Sequence, residues 1–258
     1  MTVRELYAEL EKRIPKELSC AWDNDGLLCC PDGRREVKKA LIALDVTEQV
    51  AEYAICNGYD CIISHHPFIF KGLKALDADA DNSAKAIRLI CNGISVMSFH
   101  TRLDACDGGV NDRLCELLGL DDVCAFDEDG IPLGRVGSLG TEMSGENFAL
   151  LVKKTLGAPF VLLSDAGVPV KRVAVLGGSG KDVIEAARAT GADTFLSGRL
   201  DYHPMTDGAE RKSSPMNLLE AGHFYTEQPV CEVLKGMIGD ICSDISCHVY
   251  FSNVIKAI

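Results

Sequence analysis

The chain lacks most of the features that assign a protein quickly. It has one tryptophan, 6% aromatic residues, no apolar run of membrane-spanning length, no Lys/Arg-rich block and no C-x-x-C pair. The missing apolar run argues against a membrane-spanning protein. A formal net charge of −12 with no basic block makes a nucleic-acid backbone a poor electrostatic partner. The opening stretch MTVRELYAELEKRIPKE has an amphipathic helical pattern without the apolar core of a secretory signal, so a cytoplasmic location is expected. H-E-x-x-H is absent, and the glycine-rich VAVLGGSGKD fits neither standard nucleotide-loop pattern. A tight strand-to-helix turn is the better reading of that loop, with a phosphate cradle as the alternative.

What is present is ordinary in bulk and specific in detail. With 47% hydrophobic and 25% charged residues over 258 positions, the chain can bury one large core or two modest ones. Its twelve cysteines suggest metal or disulfide chemistry until their spacing is read. Cys29 and Cys30 are neighbours, and Cys56, Cys61, Cys91 and Cys115 fall inside apolar patterns. Reduced thiols used for packing are expected.

An internal repeat organises the chain. Residues 37–64, VKKALIALDVTEQVAEYAICNGYDCIIS, align without a gap on residues 170–197, VKRVAVLGGSGKDVIEAARATGADTFLS, at a constant offset with eight identities. These include Val37/Val170, Gly58/Gly191, Asp60/Asp193 and Ser64/Ser197. Each copy reads as strand, turn, helix, glycine stop and parallel strand. The expectation is therefore an α/β fold of two related domains, an internal duplication with mixed sheets flanked by helices. The division expected is 1–128 plus 225–258 for the first domain and 129–224 for the second.

The copies differ where the second strand ends. Copy one runs into His65 and His66, whereas copy two runs into Gly198 and Arg199. The fold does not require histidine there, which favours a chemical role for the pair. Two more apolar stretches end alike: ISVMSFHTRLD delivers His100 and Asp104, and MNLLEAGHFYTEQP delivers His223 and Glu227. Thr226 is placed to cap a helix beginning near Glu227. Carboxyl ends of strands are where α/β sites assemble. Four imidazoles and two carboxylates suit zinc, iron or manganese better than calcium. Successive side chains on an extended strand point apart, so two ions sharing six donors is the expectation. Capping and turn roles remain the alternative for any single one of the six.

Taken in order, WDNDGL, LDVT, ISHHPFIF, HTRLD, GGVNDRL, GGSG and GHFYTEQP make the chain similar to the Nif-three-like family of dinuclear-metal-centre hexameric proteins, also known as GTP cyclohydrolase I type 2 homologues. The resemblance runs nearly end to end and fits the short form, without an extra central domain. It implies metal ligands at His65, His66, Asp104, His223 and Glu227, with His100 a ligand or its close neighbour. It also implies two divalent ions in a cleft between the domains, a toroidal homohexamer, and a first domain completed by the C-terminal segment. Its activity would be metal-dependent hydrolysis of a small molecule, either opening of the GTP imidazole ring or cleavage of a phosphoester or amidine. His100 or His203 would carry the proton. The alternative is a non-enzymatic protein that stores, delivers or senses metal. Arg102 stands where the family has Asn, and is read as a positive charge near the site for an anionic substrate. Arg199 replaces a residue that is usually acidic, and His248 is read as structural.

Overall fold

The computed structural model describes residues 1–128 and 130–256. The chain forms two compact units, Met1–Leu103 with Val230–Val254, and Asp104–Pro229.

The first unit opens with helix α1 (Val3–Arg13). Its capping box is complete: the Thr2 side chain accepts from the Glu5 amide, and the Glu5 carboxylate accepts from the Thr2 amide. Val3, Leu6 and Leu10 fall on one helical face and are buried. Strands β1 (Gly26–Cys29), β2 (Lys39–Ala43), β3 (Cys61–Ser64), β4 (Ser95–Ser98) and β11 (Ser246–Val249) make a sheet in the order β1-β4-β3-β2-β11. Strand β1 runs antiparallel to its neighbour and the others are parallel. Every residue of β3 and β4 is buried, as a parallel sheet covered on both faces demands. Helices α2 (Glu48–Cys56), α3 (Asp81–Cys91) and α10 (Val230–Ile241) complete the unit. Val50, Ala51 and Ala54 of α2 pack with Leu41, Ile62, Leu89 and Val96 in one core. Each fully buried aliphatic such as Ile62 contributes about 2 kcal/mol.

The second unit contains α5 (Val110–Leu118), the hairpin β5 (Leu120–Glu128) and β6 (Ile131–Met143), α6 (Gly145–Leu156), β7 (Leu162–Ser164), β8 (Val170–Ser179), α7 (Ile184–Ala189), β9 (Thr194–Arg199), α8 (Tyr202–Glu210), β10 (Asn217–Glu220) and α9 (His223–Glu227). Its six-stranded sheet has the order β5-β6-β8-β9-β10-β7, with β8, β9 and β10 parallel. Helix α4 (Thr101–Ala105) carries the chain from one unit to the other.

These units divide earlier than the sequence reading does. Residues 104–128 pack in the second unit because Leu114, Cys115 and Leu118 of α5 join Val173, Leu196 and Phe148 in its core, and β5 pairs with β6. Asp129, where the sequence reading begins the second domain, and Ala257 and Ile258 at the end of its first, lie outside the described residues.

The aligned segments build the same local structure. Residues Ala40–Ala43 pair with Cys61–Ser64, and Val173–Leu176 pair with Thr194–Ser197, in the same register at the repeat's offset. Asp60 accepts from the amides of Lys38 and Lys39, each at 2.9 Å, and Asp193 accepts from those of Lys171 and Arg172. Gly58 and Gly191 both hold the left-handed conformation after the helix, at φ +64° and +78°.

Among the described residues no cysteine is paired in a disulfide. Burial pushes Cys29 up to about 11 and Cys106 and Cys115 up to about 12, so these are neutral packing groups. Among the described residues, no helix is long and apolar enough to cross a membrane.

Candidate metal centre

In the first unit the ends of β3 and β4 bring three imidazoles together. One ligand atom from each of His65, His66 and His100 lies within 4.8 Å of the others, close enough for the group to hold a metal ion. Ring centroids are 5.0 Å apart for His65 and His66, and 5.4 and 5.7 Å from each to His100. The argument that adjacent histidines must point apart does not apply here. Strand β3 stops at Ser64 and the chain bends at His65 and His66, where the Ser64 hydroxyl donates to the His66 carbonyl at 2.8 Å.

Each ring is oriented through Nδ1. His65 donates to the Phe99 carbonyl at 2.9 Å, His66 to Asp45 at 2.7 Å and His100 to Asp23 at 2.9 Å. A carbonyl oxygen only accepts, so the proton on His65 sits on Nδ1 and its Nε2 carries the lone pair. The carboxylates impose the same tautomer on the other two rings. An oxygen behind each imidazole is the arrangement that directs Nε2 toward a metal. Burial opposes charge on Asp23, yet the hydrogen bond and charge of His100, with the hydroxyl and amide of Thr101, bring its pKa to about 2. Asp23 is therefore an anion throughout the physiological range.

Sequence reasoning names WDNDGL and LDVT without assigning Asp23 or Asp45 to a histidine. Asp45 carries a readable signal: it follows the apolar strand ALIAL, at the same kind of strand end that singles out His65. Asp25 lies beneath them with a fully buried side chain, accepting from the His100 amide at 3.2 Å and from Arg102 at 3.0 Å.

Arg102 overturns its expectation. It is fully buried, bonded also to the Ile14 carbonyl at 3.2 Å and to Glu11 and the Tyr7 hydroxyl at 3.3 Å, and its guanidinium lies 4.7 Å from the centre of the Phe99 ring. Burial opposes its charge, but the Tyr7 hydroxyl and the Asp25 carboxylate outweigh it and raise the pKa above the ordinary value. This cation binds the first unit's own side chains, and none of it is left for a substrate.

In the second unit His223 and Glu227 occupy one face of α9, with Nε2 and Oε2 3.0 Å apart. Glu227 is buried, whereas nearly half of the His223 side chain is exposed. Thr226 does not cap a following helix. It lies inside α9, donates to the Gly222 and His223 carbonyls, and accepts from the Gly178 amide at 3.1 Å. Gly177 to Ser179 form the bulged end of β8, where Leu176 pairs with Ser197 and Ser179 with Arg199, and not a turn beyond the strand. The glycine amides are committed, Gly177 to Asn111 at 2.8 Å, Gly178 to Thr226, and Gly180 to the Arg199 carbonyl at 3.0 Å. A side chain at Gly178 would collide with the Glu227 carboxylate, and its φ of +68° favours glycine independently.

Asn111, unassigned from sequence, ties this region together. Its amide group donates to the Leu133 carbonyl at 2.7 Å and the Asp104 carbonyl at 3.3 Å. Asp104 itself is buried near the end of α4. His203 stands exposed on α8, and Arg199 is exposed and bonded to Asp201 at 2.8 Å. His248 lies on β11 beside Tyr53, with ring centres 5.8 Å apart.

Three comparisons bear on this arrangement. The family pattern for Duf34/NIF3 (NGG1p interacting factor 3) matches residues 1–257. A GTP cyclohydrolase 1 type 2 homolog of Clostridium perfringens is 33% identical over 235 residues, covering 89% of this chain and 88% of that protein. The NGG1-interacting factor 3 of Saccharomyces cerevisiae is 30% identical, covering 85% and 84%. Among solved structures, Staphylococcus aureus hypothetical protein SA1388 superposes with a TM-score of 0.89 at 27% identity, over 100% of this chain and 99% of that one. Reduced HcgD from Methanocaldococcus jannaschii superposes with a TM-score of 0.82 at 28% identity, over 96% and 97%.

Proposed function

Because the chain belongs to the Duf34/NIF3 family, we propose that it binds two divalent metal ions and uses them to hydrolyse a small molecule. The observation that carries this reading is that one ligand atom each of His65, His66 and His100 lies within 4.8 Å of the others, while an oxygen on every Nδ1 leaves Nε2 as the atom each ring can offer. Neutral imidazole and carboxylate donors suit zinc, iron or manganese. The proposed ligand set is His65, His66, His100, Asp104, His223 and Glu227. Paired ions would supply Lewis acidity and water activation.

The chain's own groups account for the rest. Asp23 and Asp45 hold the rings of His100 and His66 in one orientation and one tautomer. Where His100 stands beside the ions instead of on one of them, its Nε2 is the atom that would take and release a proton, and His203 is the second candidate for that role. Ring opening of GTP is one proposed reaction, carried over from the names of relatives; phosphoester or amidine hydrolysis is another. A ring-shaped homohexamer is proposed on the resemblance alone.

Elemental mass spectrometry on protein purified without chelator or nickel tests the reading, with His66→Ala and Glu227→Ala alongside. About two ions per chain, falling in both variants, supports it. Occupancy far below one, unchanged by either variant and not restored by zinc, iron or manganese, removes it. Readily exchanged metal without turnover on nucleotides or phosphoesters would turn the reading toward storage or delivery.

A further inference from the structure

We propose that Trp22 and Phe70 form a stacking platform that recognises a planar heteroaromatic ring in the substrate. The proposal takes from the metal-centre reading only that the substrate reaches the histidine cluster.

Large aromatic side chains are normally hidden, yet Trp22 is 64% and Phe70 48% exposed. Scattered exposed apolar residues need no explanation, but these two touch each other and the same histidine. Their ring centres are 6.2 Å apart, and they lie 6.1 and 6.3 Å from the His100 ring. All three pairs meet edge to face. No burial of their own rings accounts for the arrangement.

The backbone holds the pair in place. The Cys20 amide donates to the Thr101 hydroxyl at 2.9 Å, and Asp23 is fastened to His100 and Thr101. Trp22 therefore sits on a turn tied at both ends to the segment that carries His100. On the other side Phe68 packs against the core, and its amide donates to Ser98 at 3.2 Å. Phe70, two residues on, is left outside. The Asn24 side chain donates to the Ile69 carbonyl and joins the two segments. Rings fixed in this way lose little freedom when a flat guest stacks on them. Stacking on an aromatic face selects planar rings over saturated sugars or bare phosphate.

Trp22 is the only tryptophan, so its emission reports on the platform directly. Protein stripped of metal and protein reloaded with zinc would be titrated with guanosine, with ribose 5-phosphate as the control that lacks the heteroaromatic base. Saturable quenching by guanosine and none by ribose 5-phosphate is expected. Phe70→Ala should weaken the guanosine response about tenfold, and Phe70→Tyr should restore most of it. Absent quenching, equal quenching by ribose 5-phosphate, or a response indifferent to Phe70→Ala would each overturn the platform. Emission that changes only with protein concentration would also overturn it, and would assign the pair to contact between chains. The metal reading fails separately, on metal content: quenching without bound metal leaves the platform standing, and bound metal without quenching removes the platform alone.

Discussion

The βαβ segment that ends in His65-His66 and the one that ends in Gly198-Arg199 share strand register, a carboxylate anchor and a left-handed glycine, and then diverge at a single strand end. In the first unit the strand end carries the imidazoles of His65 and His66 itself. In the second it supplies room. A Cβ at Gly198 would lie 2.5 Å from the Gly178 carbonyl oxygen and 2.8 Å from the His223 Cα, so only glycine lets α9 approach β9 with His223 and Glu227 on it. One scaffold thus delivers functional groups in two ways, by a side chain at the strand end or by clearing space for a helix that carries them.

Four experiments would break or sharpen that contrast. Removing a donor should have the largest effect: His66→Ala should lower metal affinity by more than about 100-fold, beyond what loss of an orienting group costs. Its urea unfolding midpoint in metal-free protein should stay near wild type, because the second copy does without a histidine there. Gly198→Ala should reverse the pattern, costing about 3 kcal/mol in urea unfolding through overpacking against backbone. Equal destabilisation of metal-free protein by both variants would erase the distinction between donor and spacer.

An intermediate effect is expected behind the rings. Asp23→Asn should lower metal affinity by about 10- to 100-fold, by loosening the tautomer and orientation of His100. Binding measured by competition with a chelator checks this, and unchanged affinity would remove His100 from the ligand set.

The smallest effect concerns the shared anchor. Asp60→Asn should cost about 1–2 kcal/mol, since the carboxylate accepts from two amides and from Arg35. Burial opposes ionisation of Asp60, yet those bonds leave its pKa below the ordinary value. Its contribution is therefore complete above the unfolded carboxylate pKa, and is lost as pH falls through the lower folded value. Wild type and Asp60→Asn should converge in stability on acidification. A constant gap down to low pH would show that the charge is not what Asp60 contributes.

Much of the fold was legible because local pattern dictates it. Thr47 before the α2 helix, Gly58 after it and the apolar run of β3 carry their own signals. The gathering of histidines at strand ends was legible too, since His65, His66 and His100 do come together. Arg102 was misread because its partners, Tyr7, Glu11 and Asp25, are 77 or more residues away. The glycine stretch was read as a strand-to-helix turn, whereas Gly177 to Ser179 end β8 in a bulge, and the reason for the glycines, contact with Asn111, Thr226 and Glu227, appears only when the second unit is folded.

Periodicity and turn chemistry act over a few residues, and on their own they specify two α/β cores, the βαβ segment that recurs in each and the residue types able to bind metal. The tertiary structure alone decided which atom of each histidine is presented. His66 is oriented by a residue 21 positions away, His65 by one 34 away and His100 by one 77 away. Strand order and register set those pairings, and a chain's local preferences carry no record of what the sheet will bring beside it.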